Sequence, residues 1–148
     1  MKARTLATVL VIAASVAKAD LDIDRLVNAI GEVESGMDHS AVGDRARALG
    51  AWQMHSAAWA DSNTWRKARG LKTYTRSNWR NPVVSRSMAK SYVEFIVARL
   101  SGYGRPITPE TVYLAYTVGV TAYLRDGIEA ASSAKVDASN RVGNIYRK

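Results

Sequence analysis

Apolar positions recur along the chain at steps of three and four rather than in alternation. In "IDRLVNAIGEVESGM", Leu26, Ile30, Val33 and Met37 form one stripe, which predicts a helix over about Asp24–Ser35. Asp22 or Asp24 can cap its start, and Gly36 can end it in a left-handed conformation. A second helix is predicted from Ser56, carrying Trp59 and Trp65 and ending near Gly70. A long third helix opens after Asn81-Pro82 and reaches Leu100, with Val84, Met88, Tyr92, Phe95 and Ile96 as its buried face. "SGYG" breaks the pattern. Thr108-Pro109-Glu110 then opens a fourth helix that carries Val112, Tyr113 and Tyr116 past Gly119 toward Arg125. A last helix covers about Ala138–Tyr146. Residues Met37–Trp52 are polar, without helical period, and are predicted to form a loop or a small β-turn region. The expected fold class is mainly α, in one domain.

The start of the chain changes this picture. "MKARTLATVLVIAASVAKAD" has a positive beginning at Lys2 and Arg4, an apolar run from Leu6 to Val16, and a small-x-small site at Ala17–Ala19. Those are the three parts of a secretory signal, so residues 1–19 are read as a signal peptide and 20–148 as the mature domain, periplasmic or secreted. The apolar run is shorter than the roughly 20 residues that span a bilayer, so no stable membrane insertion is expected.

The chain is basic, at +8, and stays positive when Lys2, Arg4 and Lys18 are set aside. Such a charge suits nucleic acid, anionic membranes or bacterial cell wall, and does not choose among them. There is no cysteine, which excludes disulfides and thiol chemistry; with His39 and His55 the only histidines, no metal site and no cofactor are expected. The cations from Arg66 to Arg86, with Lys67, Arg69, Lys72, Arg76 and Arg80 between them, are read as a solvated face, with attraction to anionic wall polymers or peptide carboxylates as the alternative.

One carboxylate is out of place. On a helical wheel Glu32 falls far outside the apolar stripe, whereas Glu34 falls beside Val27 at its edge. Glu34 also stands in the last turn, where unpaired carbonyls make the local field negative. Partial burial and the helix C-terminus both push a glutamate to keep its proton, which is what a general acid needs near neutral pH. The alternative is a boundary glutamate paired with a cation such as Arg45 or Arg47.

The segment "VESGMDHSAVGDRARALGAWQM" resembles the catalytic segment of lysozyme-like lytic transglycosylases of the soluble murein (SLT) type, with Glu-Ser-Gly, a variable loop and Gly-x-x-Gln. Three later features are similar as well: Asn81-Pro82 ahead of the long helix, "AYTVG" at Ala115–Gly119, and "NRVGNIYRK" at the end. Four features in order span nearly all of the mature chain. The resemblance implies a lysozyme-like helical domain that binds peptidoglycan glycan strands. It would cleave the β-1,4 bond between N-acetylmuramic acid and N-acetylglucosamine, leaving 1,6-anhydromuramoyl ends. It implies Glu34 as acid and base, Ser35 as an orienting residue, Gln53 as a substrate contact, and Tyr116 as the hydroxyl that holds Glu34.

The family's asparagine after Ala-Tyr is Thr117 here, which keeps a hydroxyl and loses an amide. Trp52 stands in the middle of the Gly-x-x-Gln segment, either as core or as a platform on which a sugar stacks. "VGDRARALGAWQ" is also similar to goose-type and invertebrate-type lysozymes, which pair the glutamate with a loop aspartate. Asp44 would then position water or act as nucleophile in a hydrolytic lysozyme; the alternative is a turn residue or an arginine partner. A non-catalytic, cationic wall-binding protein of the same fold is the rival outside enzymes. The expected partner is the glycan strand, not nucleic acid; the expected state is a monomer, and a secretion or pilus assembly is one setting.

Overall fold

A computed structural model describes residues 20–148; the expected signal segment, residues 1–19, lies outside them. Helix α1 (Ile23–Ser35) starts where the Asp22 carboxylate accepts from the Arg25 N–H at 3.0 Å, and ends at Gly36 with φ of 64°. A two-stranded antiparallel hairpin follows, β1 (Val42–Gly43) and β2 (Ala48–Leu49), with Val42 opposite Leu49. Helix α2 (Ser56–Lys67) leads through a 3-10 turn at Arg76–Arg80 into α3 (Pro82–Gly102). The Asn81 side chain caps α3 by accepting from the N–H groups of Val83 and Val84, and Pro82 occupies the first turn, where no N–H partner is needed.

Helix α4 (Pro109–Val118) opens with a reciprocal cap, in which Thr108 and Thr111 each accept from the other's backbone N–H. The sequence pattern predicts that this helix continues past Gly119. Instead Gly119 takes φ 88° and ψ 133°, a conformation open to glycine and not helical, and the chain restarts as α5 (Val120–Asp126). This break leaves the last carbonyls of α4 without helical partners, which matters at the site below. The last helix, α6 (Ser133–Tyr146), begins at the Ser132 cap rather than at Ala138.

Helix α3 packs against α1, α2 and α4, and α6 closes the other side against α1 and α4. Met88, Tyr92 and Ile96 of α3 are buried as the periodicity predicts, while Val84 and Phe95 are half-buried at its flank. Leu26, Val27 and Ile30 of α1, Val112 of α4 and Val142 of α6 complete the interior at 0 % exposure. Each such side chain is worth about 1.5–3 kcal/mol of transfer from water.

The solvated-face reading of Arg66–Arg86 fails at its first member. Arg66 is 7 % exposed; its Nε donates to the Lys72 carbonyl at 2.6 Å, and its Nη1 to the hydroxyls of Ser87 and Ser91 at 2.8 and 2.9 Å. It ties α2, the loop after it and α3 together, and these hydrogen bonds offset the cost of burying its guanidinium. Among the described residues no helix is long and apolar enough to cross a membrane.

Candidate active site

The C-terminal end of α1, the hairpin and its return, the end of α4 and the start of α6 border an open cleft of about 510 Å³. Glu34, Asp44, Gln53, His55, Tyr113, Tyr116, Thr117 and Lys135 line it. Residues separated by some 100 positions in sequence thus meet because α6 packs on both α1 and α4.

Glu34 is half-buried while Glu32, two residues earlier, is exposed, as the helical wheel predicts. Burial pushes the Glu34 carboxyl above its ordinary value; a hydrogen bond from Tyr113 and the positive charge of Lys135 act the other way and do not cancel it. The holding hydroxyl is that of Tyr113, which donates to Glu34 Oε1 at 2.7 Å. This corrects the expectation for Tyr116, whose hydroxyl donates to the Trp52 carbonyl at 2.6 Å. The two rings stack at 6.4 Å between centroids, one helical turn apart, so the fold offers both; the loop carbonyl of Trp52 claims the second. Burial raises the Tyr113 phenol far above its usual range, so it remains a donor at any working pH.

Ser35 is not among the residues that line the cleft. Its hydroxyl donates to the Ala51 carbonyl at 2.9 Å and accepts from the Asp38 N–H at 3.0 Å, pinning the end of α1 to the Gly-x-x-Gln segment. The sugar-platform reading of Trp52 is corrected too. Trp52 is 1 % exposed and its Nε1 donates to the Val27 carbonyl at 2.8 Å, so the indole is core and offers no face to a ligand. Gln53 does line the cleft, held by a 2.9 Å bond from Nε2 to the Gly50 carbonyl. Its Oε1 occupies the space where Gly43 has no side chain, so any Cβ there would strike it.

Among the described residues, the non-glycine residues with positive φ are Met37, Asp44, Arg45, Ala46 and Gln53, all between the end of α1 and the start of α2. Each such conformation costs on the order of 1 kcal/mol, and backbone strain of this kind clusters at functional surfaces. Asp44 opens the hairpin turn. It pairs with Arg47 at 2.8 Å, stands 3.5 Å from His55 Nε2, and has 41 % of its side chain exposed. The Arg47 hydrogen bond holds its carboxyl below the usual value. Asp38 likewise serves a turn, accepting from the Ser40 N–H and hydroxyl.

Thr117 lines the cleft with its hydroxyl turned back to the Leu114 carbonyl at 3.1 Å. Its own carbonyl, freed by the break at Gly119, accepts from Lys135 Nζ at 3.0 Å. Lys135 and His55 are cleft residues that sequence reasoning missed. Lys135 lies in the first turn of α6, ahead of the predicted start of that helix, and His55 carried no signal beyond its residue type.

A mainly helical domain with a half-buried carboxyl of raised proton affinity at a helix end, on the wall of an open cleft, suits acid-catalysed cleavage of a glycosidic bond. The sequence matches the Transglycosylase SLT domain family over residues 13–138. The chain therefore belongs to that family of peptidoglycan lytic transglycosylases, with its mainly α, lysozyme-like fold. No curated protein and no solved structure matches it.

Proposed function

We propose that the protein cleaves peptidoglycan glycan strands between N-acetylmuramic acid and N-acetylglucosamine by non-hydrolytic transglycosylation, with Glu34 as the one acid and base. The observation that carries this reading is the pairing of a half-buried, proton-retaining Glu34 with the Tyr113 hydroxyl at 2.7 Å, on the wall of the cleft. Glu34 gives its proton to the glycosidic oxygen as the bond to the muramoyl anomeric carbon breaks. The carboxylate so formed takes the proton of the muramoyl 6-hydroxyl, whose oxygen closes on the anomeric carbon. No water enters, Glu34 ends protonated, and the product is a 1,6-anhydro ring. Tyr113 steadies the carboxylate between the two steps, when it carries charge in a partly desolvated place.

Residues 1–19 support export, and a basic domain suits an anionic wall, so the site of action is the periplasm or beyond. Hydrolysis assisted by Asp44 is a second reading, because Asp44 lines the same cleft. Mass analysis of the products of purified protein separates the two. The expected products lack one water relative to reducing-end fragments; reducing ends alone would overturn transglycosylation.

A further inference from the structure

Lys135 has more donors than the fold uses. One N–H goes to the Thr117 carbonyl at 3.0 Å, the ammonium forms no ion pair among the described residues, and it faces the cleft. An ammonium has three donors, so two remain for a ligand. The lysine is not loosely placed. It sits in the first turn of α6, and its reach to Thr117 exists because Gly119 ends α4 and leaves that carbonyl open. A half-buried ammonium that forms no ion pair among the described residues and keeps two donors free at the cleft is matched by an incoming anion.

We propose that Lys135 is the cleft's receptor for a carboxylate of the glycan substrate. The proposal rests on the reading above that the substrate is peptidoglycan. Two sources supply that chemistry: the lactyl carboxylate of a muramoyl unit that has lost its peptide, and a carboxylate of an attached peptide. Either would bring the negative charge to the wall that holds Glu34. Binding then has a second effect. Lys135 draws the Glu34 proton affinity down in the empty cleft, and a substrate carboxylate that neutralises Lys135 removes that pull. Substrate thus helps to hold the proton that its own cleavage consumes. The other groups facing Glu34 are Tyr113 and Tyr116 of α4, with Arg141 of α6 acting on Tyr113, and Asp44 and His55 lining the cleft from the hairpin side.

The test measures binding in the Glu34→Gln protein, in which turnover is slowed about 10²–10⁴-fold, with and without Lys135→Met. The probes are peptide-free strands, the same strands with lactyl carboxylates converted to amides, and peptide-bearing strands. Lys135→Met is expected to weaken binding of a carboxylate-bearing strand about tenfold and to leave amidated strands unaffected. Loss confined to peptide-free strands assigns the lactyl group; loss confined to peptide-bearing strands assigns the peptide. Equal effects on amidated and carboxylate strands, or none on either, overturn the proposal. Binding with the expected selectivity beside an inactive wild type would sink the transglycosylase reading and leave the carboxylate site standing. As a second readout in active protein, the alkaline limb of kcat should lie above that of kcat/KM for carboxylate-bearing strands. That gap should vanish in Lys135→Met; a gap that persists there counts against the proposal.

Discussion

The cleft has two walls, and each carries a carboxylate with the opposite fate. On the helical wall Glu34 is half-buried, takes its hydrogen bond from a phenol, and holds its proton more tightly than an ordinary glutamate. On the hairpin wall Asp44 is exposed, takes its hydrogen bond from the Arg47 guanidinium, and gives its proton up more readily. Neither difference comes from the side chain itself. A carboxyl on a packed helix end loses water, while one on a strained hairpin turn keeps it and gains a cation. The helical wall is therefore suited to donate a proton, and the hairpin wall to carry a fixed charge at the rim.

The sharpest break of this contrast is Glu34→Gln. Removing a general acid costs about 10²–10⁴ in rate, so turnover should fall by that factor while the far-ultraviolet circular dichroism stays the same. Activity within one order of magnitude of wild type would mean that the helical wall does not hold the acid. The same substitution should raise thermal stability at neutral pH. The folded-state pKa of Glu34 is raised, so its stabilising protonated form is fully present below the ordinary value of 4.5. Its ionisation then costs stability as pH rises from there through the folded value. Glutamine escapes that cost, so the gain in Tm should be present at pH 7 and absent at pH 4.

A smaller effect separates the two tyrosines. Tyr113→Phe removes the hydrogen bond that favours the Glu34 carboxylate, so the alkaline limb of the pH–rate profile should move up and kcat should fall about tenfold. Tyr116→Phe leaves the Trp52 carbonyl without its partner, and should cost about 1–3 kcal/mol of stability without moving that limb. The opposite pattern would restore Tyr116 as the residue that holds Glu34.

How much of this was legible in the sequence follows the same division. The periodicity of Leu26, Ile30 and Val33 placed α1 and the odd position of Glu34, because helical spacing converts directly into a face, while the cap was left between Asp22 and Asp24. The choice between Tyr113 and Tyr116 was not legible. Both lie on one face of α4, and only the course of the Gly-x-x-Gln loop decides which hydroxyl meets a carbonyl and which meets a carboxylate. Trp52 was ambiguous for a similar reason. An indole beside a ligand-binding glutamine reads alike as platform or core until Val27 and Gly31 are seen to pack on it. Lys135 was hidden because its role depends on the break at Gly119, and a single glycine in an apolar helical pattern does not announce a break.

The smallest expected effect is the one that decides the chemistry. Asp44→Asn keeps the size of the side chain and its place in the turn, and removes the charge shared with Arg47 and His55. If the helical wall works alone, turnover should change less than about threefold, well below the 10²–10⁴ of a lost acid or base. The products should still lack one water. A hydrolase would respond differently, because a base that positions water is needed once per cycle and its loss should approach that of Glu34. The position of Asp44 argues for the weaker response. Its carboxyl is already held by a guanidinium, and a group whose proton affinity is lowered by that partner is a poor base. Double substitution of Glu34 and Asp44, measured by product release, should then be no slower than Glu34→Gln alone.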